Sequence, residues 1–114
     1  MVPDTLHIAT SRGERGQTIF SLKGPLNIHT VYQFQEAVRA DSSPILIVDC
    51  SGVPFIDSAG LGGMVGALVS SRRVNRKIAF AGLNKQAKVL VDMTHVSHIL
   101  HTYDSVKEAE AAVS

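Results

Sequence analysis

Residues Ile45, Leu46, Ile47 and Val48 form an unbroken apolar run. A short run of this kind is the pattern of a strand buried on both faces by flanking helices, whereas a half-exposed strand alternates with polar residues. It restricts the chain to a layered α/β fold with this strand at the centre of a sheet.

The rest of the chain supplies the neighbours. Leu6, Ile8 and Thr10 alternate with His7 and Ala9, Gly13 and Gly16 bracket a turn, and Thr18, Phe20 and Leu22 alternate with Ile19, Ser21 and Lys23, which predicts a hairpin. Gly24-Pro25 stops the second strand. From Thr30 the apolar residues move to helical spacing at Val31, Phe34 and Val38, with Thr30 and Gln33 at capping-box spacing. After the central strand, Leu61, Met64 or Val65, and Leu68 repeat at helical spacing to about Val74. Arg72, Arg73, Arg76 and Lys77 follow where a helix C-terminus favours cations. Ile78 to Ala81 reads as a strand, and Asn84 as the cap of a helix carrying Ala87, Leu90 and Met93. Ile99 to Tyr103 reads as a last strand. Asp104 or Ser105 caps a final helix, with Ser105 and Glu108 at capping-box spacing and Val106, Ala109 and Val113 on its inner face. The order is ββαβαβαβα, a mixed sheet of about five strands with about four helices.

Composition excludes several classes of function. A chain of 114 residues with 45% hydrophobic and 18% charged residues fits one globular domain, here residues 1–114. Eleven Lys plus Arg against ten Asp plus Glu leave a charge of +1, no footprint for nucleic acid or anionic lipid. The single Cys50 excludes an intrachain disulfide and suits a reducing compartment. The N-terminal segment lacks a basic region followed by an apolar stretch, and no run of about 18 apolar residues appears, so a cytoplasmic location without membrane insertion is expected.

The stretch that carries function runs Val48-Asp49-Cys50-Ser51-Gly52-Val53-Pro54-Phe55-Ile56-Asp57-Ser58-Ala59-Gly60-Leu61-Gly62, a buried strand leading through a loop into a glycine-rich helix start. It resembles the signature of the STAS domain of anti-sigma factor antagonists: an apolar strand, Asp, any residue and Ser, then aromatic-Ile/Met-Asp-Ser-x-Gly-Leu-Gly. Weaker matches at Gly82-Leu83, Val89-Leu90, Met93-Thr94 and Ser105 to Ala109 extend the resemblance over roughly Phe20 to Val113. Ala59 stands where many members have a second serine. The resemblance implies a single STAS-type domain, with Ser58 phosphorylated by a partner anti-sigma factor that is also a serine kinase. The unphosphorylated form would bind that kinase and free its sigma factor, and a serine phosphatase would reset Ser58. The expected partner surface is Asp57, Ser58, Ala59, Gly60, Leu61, Gly62 and Gly63. The glycines lower helix propensity by about 1 kcal/mol each, which suits close approach by a neighbour or partner. Asp57 is read as the helix cap, as part of kinase recognition, or as both.

Other chemistries find little support. Gly60-x-Gly62-x-x-x-Gly66 lies several residues beyond its strand, and no acidic residue ends the next one, unlike a dinucleotide fingerprint. The Gly-Lys-Ser/Thr ending of a P-loop is absent. His95, His98 and His101 straddle a turn and a strand, so a metal site is not expected. Cys50 is expected to pack as a small apolar residue. Without paired carboxylates, a nucleophile–base set or a cofactor loop, the chain is read as a non-enzyme without cofactor or metal. The alternative is a STAS scaffold subunit of a lipid-transport or stress-sensing complex, using the same surface without a switch.

Overall fold

The structure, a computed structural model, is described for residues 5–113. Its elements are β1 (His7–Arg12), β2 (Thr18–Lys23), α1 (Val31–Ala40), β3 (Ile45–Gly52), α2 (Ser58–Arg73), β4 (Lys77–Ala81), α3 (Lys85–Met93), β5 (Thr102–Tyr103) and α4 (Val106–Val113). The strands form one five-stranded sheet in the order β1-β2-β3-β4-β5. β1 and β2 pair antiparallel, with Ile8 opposite Leu22 and Thr10 opposite Phe20. The remaining neighbours pair parallel.

Each parallel crossover advances one strand in the same direction, so a common right-handed connection places α1, α2 and α3 on one face. Their residues Phe34, Val38, Leu61, Met64, Leu68, Ala87 and Val91 share a core with Phe20, Leu22, Leu46, Val48 and Phe80. α4 follows the last strand and covers the other face, where Ala109 and Val113 pack on Ile19, Ile47, Ala79 and Ala81. β3 is therefore central and covered on both sides, with Leu46 and Ile47 fully buried, as its apolar run requires. No helix among the described residues is long and apolar enough to cross a membrane.

Four local expectations change. The Thr30–Gln33 capping box does not form: Thr30 makes no side-chain cap bond. Its hydroxyl donates to the Pro25 carbonyl at 2.8 Å and accepts from the Asn27 N–H at 3.0 Å, while the Gln33 amide donates to the Leu6 carbonyl at 2.8 Å. The two side chains satisfy backbone groups of the loop before α1 and of Leu6 instead of the helix end. Met93 is 72% exposed, and Val91 takes the inward position on α3. β5 begins only at Thr102, because Ile99 and Leu100 turn back onto the Val96 carbonyl and Leu100 plugs the core. Arg76, expected among cations at the helix end, is buried and bound to the loop after α1, whereas Arg72 and Arg73 are exposed in the last turn of α2.

The capping reading holds for the later helices. The Asn84 side chain accepts from the Ala87 N–H at 2.9 Å, and the Ser105 hydroxyl from the Glu108 N–H at 3.1 Å.

Candidate functional site at the start of helix α2

The loop between β3 and α2 is held from two sides. Leu26, before α1, forms an isolated parallel bridge with Ile56. The Leu26 N–H donates to the Phe55 carbonyl at 3.0 Å, and the Asp57 N–H to the Leu26 carbonyl at 3.3 Å. From α3, the Gln86 amide accepts from the Ile56 N–H at 3.1 Å and donates to the Ile56 carbonyl at 2.8 Å. Asn84 donates to the Pro54 carbonyl at 2.9 Å. A loop whose backbone polar groups are satisfied by its neighbours delivers the helix start to a fixed position.

Asp57 is the N-cap of α2. One carboxylate oxygen accepts from the Gly60 N–H at 2.8 Å, satisfying a free helix donor, and the other accepts from the Ile28 N–H at 3.2 Å. The same side chain thus caps α2 and ties it to the loop before α1. Ser58, the first helical residue, is exposed beside it. The front half of the motif is structural, since the Asp49 carboxylate accepts from the Ser51 N–H at 3.0 Å.

The fold divides the expected partner surface. Ser58 and Gly62 are exposed and Asp57 and Ala59 are half-buried, but Gly60, Leu61 and Gly63 are buried within the domain. A methyl group on Gly60 would stand 2.0 Å from the Leu26 carbonyl oxygen, and one on Gly63 would stand 2.1 Å from Val31 Cγ2. A methyl group on Gly62 would meet nothing within 4 Å. The close approach that two of these glycines permit is therefore to the domain's own loop and α1.

Sequence reasoning missed three exposed apolar side chains on α1 and on the loops before α1 and α2. Ile28 is 68% exposed, Tyr32 66% and Phe55 48%. Ile28 and Phe55 fall in loops where no periodicity assigns a face. Tyr32 could have been found, since it lies off the Val31, Phe34 and Val38 stripe. From Ser58 to Ser71, α2 carries no charged side chain. Asp57 is the acid that adjoins Ser58 in the chain.

No three His, Cys, Asp or Glu residues come together to hold a metal among the described residues. Cys50 is 1% exposed, and burial, with a smaller contribution from the Asp49 charge, pushes its thiol up to about 12. Thiol reagents at pH 8 should therefore label Cys50 only as fast as the chain unfolds, which a labelling time course in increasing urea checks. The same shift makes folding stability fall once pH rises above the unfolded thiol value near 9, by up to about 1.4 kcal/mol per unit. Urea melts between pH 7 and 10.5 should show that slope, and Cys50→Ala should remove it.

The five-stranded α/β fold thus presents Ser58 at the Asp57-capped start of α2, with the exposed apolar Ile28 and Phe55 nearby. The STAS domain family matches residues 9–109, and the chain belongs to that family. The chain is similar to an anti-sigma F factor antagonist of Paenibacillus polymyxa, 27% identical over 95 residues that cover 80% of this chain and 81% of the relative. Its fold is shared by an anti-sigma factor antagonist from Mycobacterium paratuberculosis, at 21% identity, with a TM-score of 0.81 over 98% of this chain and 97% of that one. SpoIIAA shares it in both states. Its unphosphorylated form has a TM-score of 0.73 at 17% identity, over 94% of this chain and 96% of that one. Its phosphorylated form has a TM-score of 0.70 at 16% identity, over 95% and 100%.

Proposed function

We propose that the chain is an anti-sigma factor antagonist switched by phosphorylation of Ser58. In this reading residues 1–114 act as one STAS unit in the cytoplasm, regulatory rather than enzymatic. The unphosphorylated form binds a serine-kinase anti-sigma factor, and a serine phosphatase restores it. The observation that carries the reading is the exposed Ser58 hydroxyl at the first turn of α2, beside the Asp57 cap and flanked by exposed Ile28 and Phe55. Relatives named as anti-sigma antagonists, and a structural relative solved in a phosphorylated form, support it.

The physics of the switch is local. A phosphate on Ser58 adds about −1.5 to −2 charges next to Asp57. The free N–H groups of the first turn accommodate it within the chain, so the domain need not unfold. A partner seated on the apolar face meets a charge that it must either desolvate or avoid. A hundredfold loss of affinity requires only about 2.7 kcal/mol, within the range of one such charge.

The test is calorimetric titration of a serine-kinase anti-sigma factor from the same cell with Ser58→Ala and Ser58→Asp chains, and with chain phosphorylated by that kinase. The alanine form should bind, and the phosphorylated chain should bind at least roughly a hundredfold more weakly, with the aspartate form in between. Equal binding of the alanine and phosphorylated forms would remove the switch and leave a permanently docked scaffold module.

A further inference from the structure

The far end of α2, a 16-residue helix, lies on the order of 20 Å from Ser58. There a hollow of about 330 Å³ opens between the last turn of α2, the start of β4 and the end of α4. Its walls include the apolar Leu68, Ile78 and Val113, and its rim carries Arg72, Lys77 and His101. Among the described residues, no acidic side chain lines it. Arg76 also borders it, but that guanidinium is engaged with Asp41. Arg72 and Lys77 are exposed and make no ion pair with a described acid.

The edge of the sheet adds a backbone donor. The Phe80 and Gly82 N–H groups donate to the His101 and Tyr103 carbonyls at 2.8 and 2.9 Å. Strand alternation turns the Ile78 N–H toward the same side. β5 starts at Thr102, opposite Phe80, so no strand lies opposite Ile78 there. Two cationic residues, an apolar wall and Ile78, whose N–H no strand covers, therefore border one small hollow, whose size is at the lower end for ligand sites, about 300 Å³ upward.

We propose that this hollow binds an amphiphilic anion, a carboxylate or phosphate monoester carried on a short apolar chain. The head group takes Arg72, Lys77 and the Ile78 N–H, and the chain lies along Leu68, Ile78 and Val113. The site is independent of Ser58 and does not rest on the switch.

Decanoate, decyl phosphate and neutral decanol, titrated into the full chain and followed by amide NMR spectra, test the proposal. Saturable shifts at Ile78, Arg72 and Lys77 with either anion, and much weaker ones with decanol, are expected. The Arg72→Gln, Lys77→Gln double variant should bind the anions roughly tenfold or more weakly while decanol binding stays the same. Both positions are exposed, so an unchanged melting temperature confirms that the variant is folded. The proposal is overturned if no saturable shift reaches Ile78, if decanol binds as tightly as the anions, or if the double variant keeps the parent's affinity.

Discussion

Gly60→Ala should destabilise the domain by about 2–3 kcal/mol, whereas Gly62→Ala, two residues along the same helix, should stabilise it by up to about 1 kcal/mol. The added methyl at Gly60 would stand 2.0 Å from the Leu26 carbonyl oxygen, a backbone atom that cannot rotate away. That carbonyl also accepts the Asp57 N–H, and the loop continues to Ile28, whose N–H is held by the Asp57 carboxylate. Relief of the clash must move either α2 or this loop, so the arrangement around Ser58 is lost together with stability. At Gly62 the new methyl meets open space, and the substitution only removes glycine's excess freedom in the unfolded chain. Thermal melts should separate the variants in opposite directions, Gly60→Ala falling by roughly 10 °C and Gly62→Ala rising by a few. Equal shifts would show that α2 does not pack against the Leu26 loop at Gly60. Because Gly62 is exposed on the proposed partner surface, its alanine variant also reports steric tolerance in the binding titration.

Removal of the Arg76 guanidinium should cost more, about 3–5 kcal/mol for Arg76→Met. The Arg76 side chain is only 6% exposed, and all three guanidinium nitrogens bond to the end of α1 and the loop that follows. Nε donates to the Ser43 carbonyl and Nη1 to the Val38 carbonyl, each at 2.9 Å. Nη2 reaches both the Asp41 carbonyl and the Asp41 carboxylate. The Val38 and Asp41 carbonyls lie at the C-terminal end of α1, where helix acceptors lose their regular partners, and the Ser43 carbonyl lies in the loop beyond it. Methionine would fill much of the volume but remove the donor to the Ser43 and Asp41 carbonyls and the countercharge of Asp41, whose carboxylate would keep only its bonds from Ser43. Lysine should rescue little, because a point charge cannot reproduce the planar fork. Asp41→Ala should be milder: its side chain is 20% exposed, and the Arg76 guanidinium keeps its backbone acceptors. Chemical denaturation with unchanged m-values measures the three costs, and a loss below about 1 kcal/mol for Arg76→Met would contradict the assigned role.

The two residues show where sequence reading stops. Gly60 and Gly62 look alike in the chain, both glycine and both inside one motif, and only the position of the Leu26 carbonyl makes one indispensable for packing. Arg76 stood in a run of basic residues after a helix, and the expectation was a dipole interaction with the helix it follows. The fold instead bonds it to a different helix, through a contact 38 residues away in sequence. Thr30 and Gln33 had capping-box spacing, yet the loop before α1 and the backbone of Leu6 took their side chains.

What the sequence determined by itself was the element order and the faces of the main elements, because helix and strand periods place residues on inner or outer surfaces without reference to a partner. The apolar run Ile45 to Val48 specified the central strand, and the Asp57-Ser58-Ala59-Gly60 stretch specified a helix start with its cap. Tertiary structure alone decided which exposed groups surround Ser58, which glycines pack inward, which carbonyls Arg76 binds, and where β5 leaves β4 open. Periodicity encodes a direction for each side chain, but a contact depends on two elements meeting, and that is settled only when the sheet and its helices close around one core.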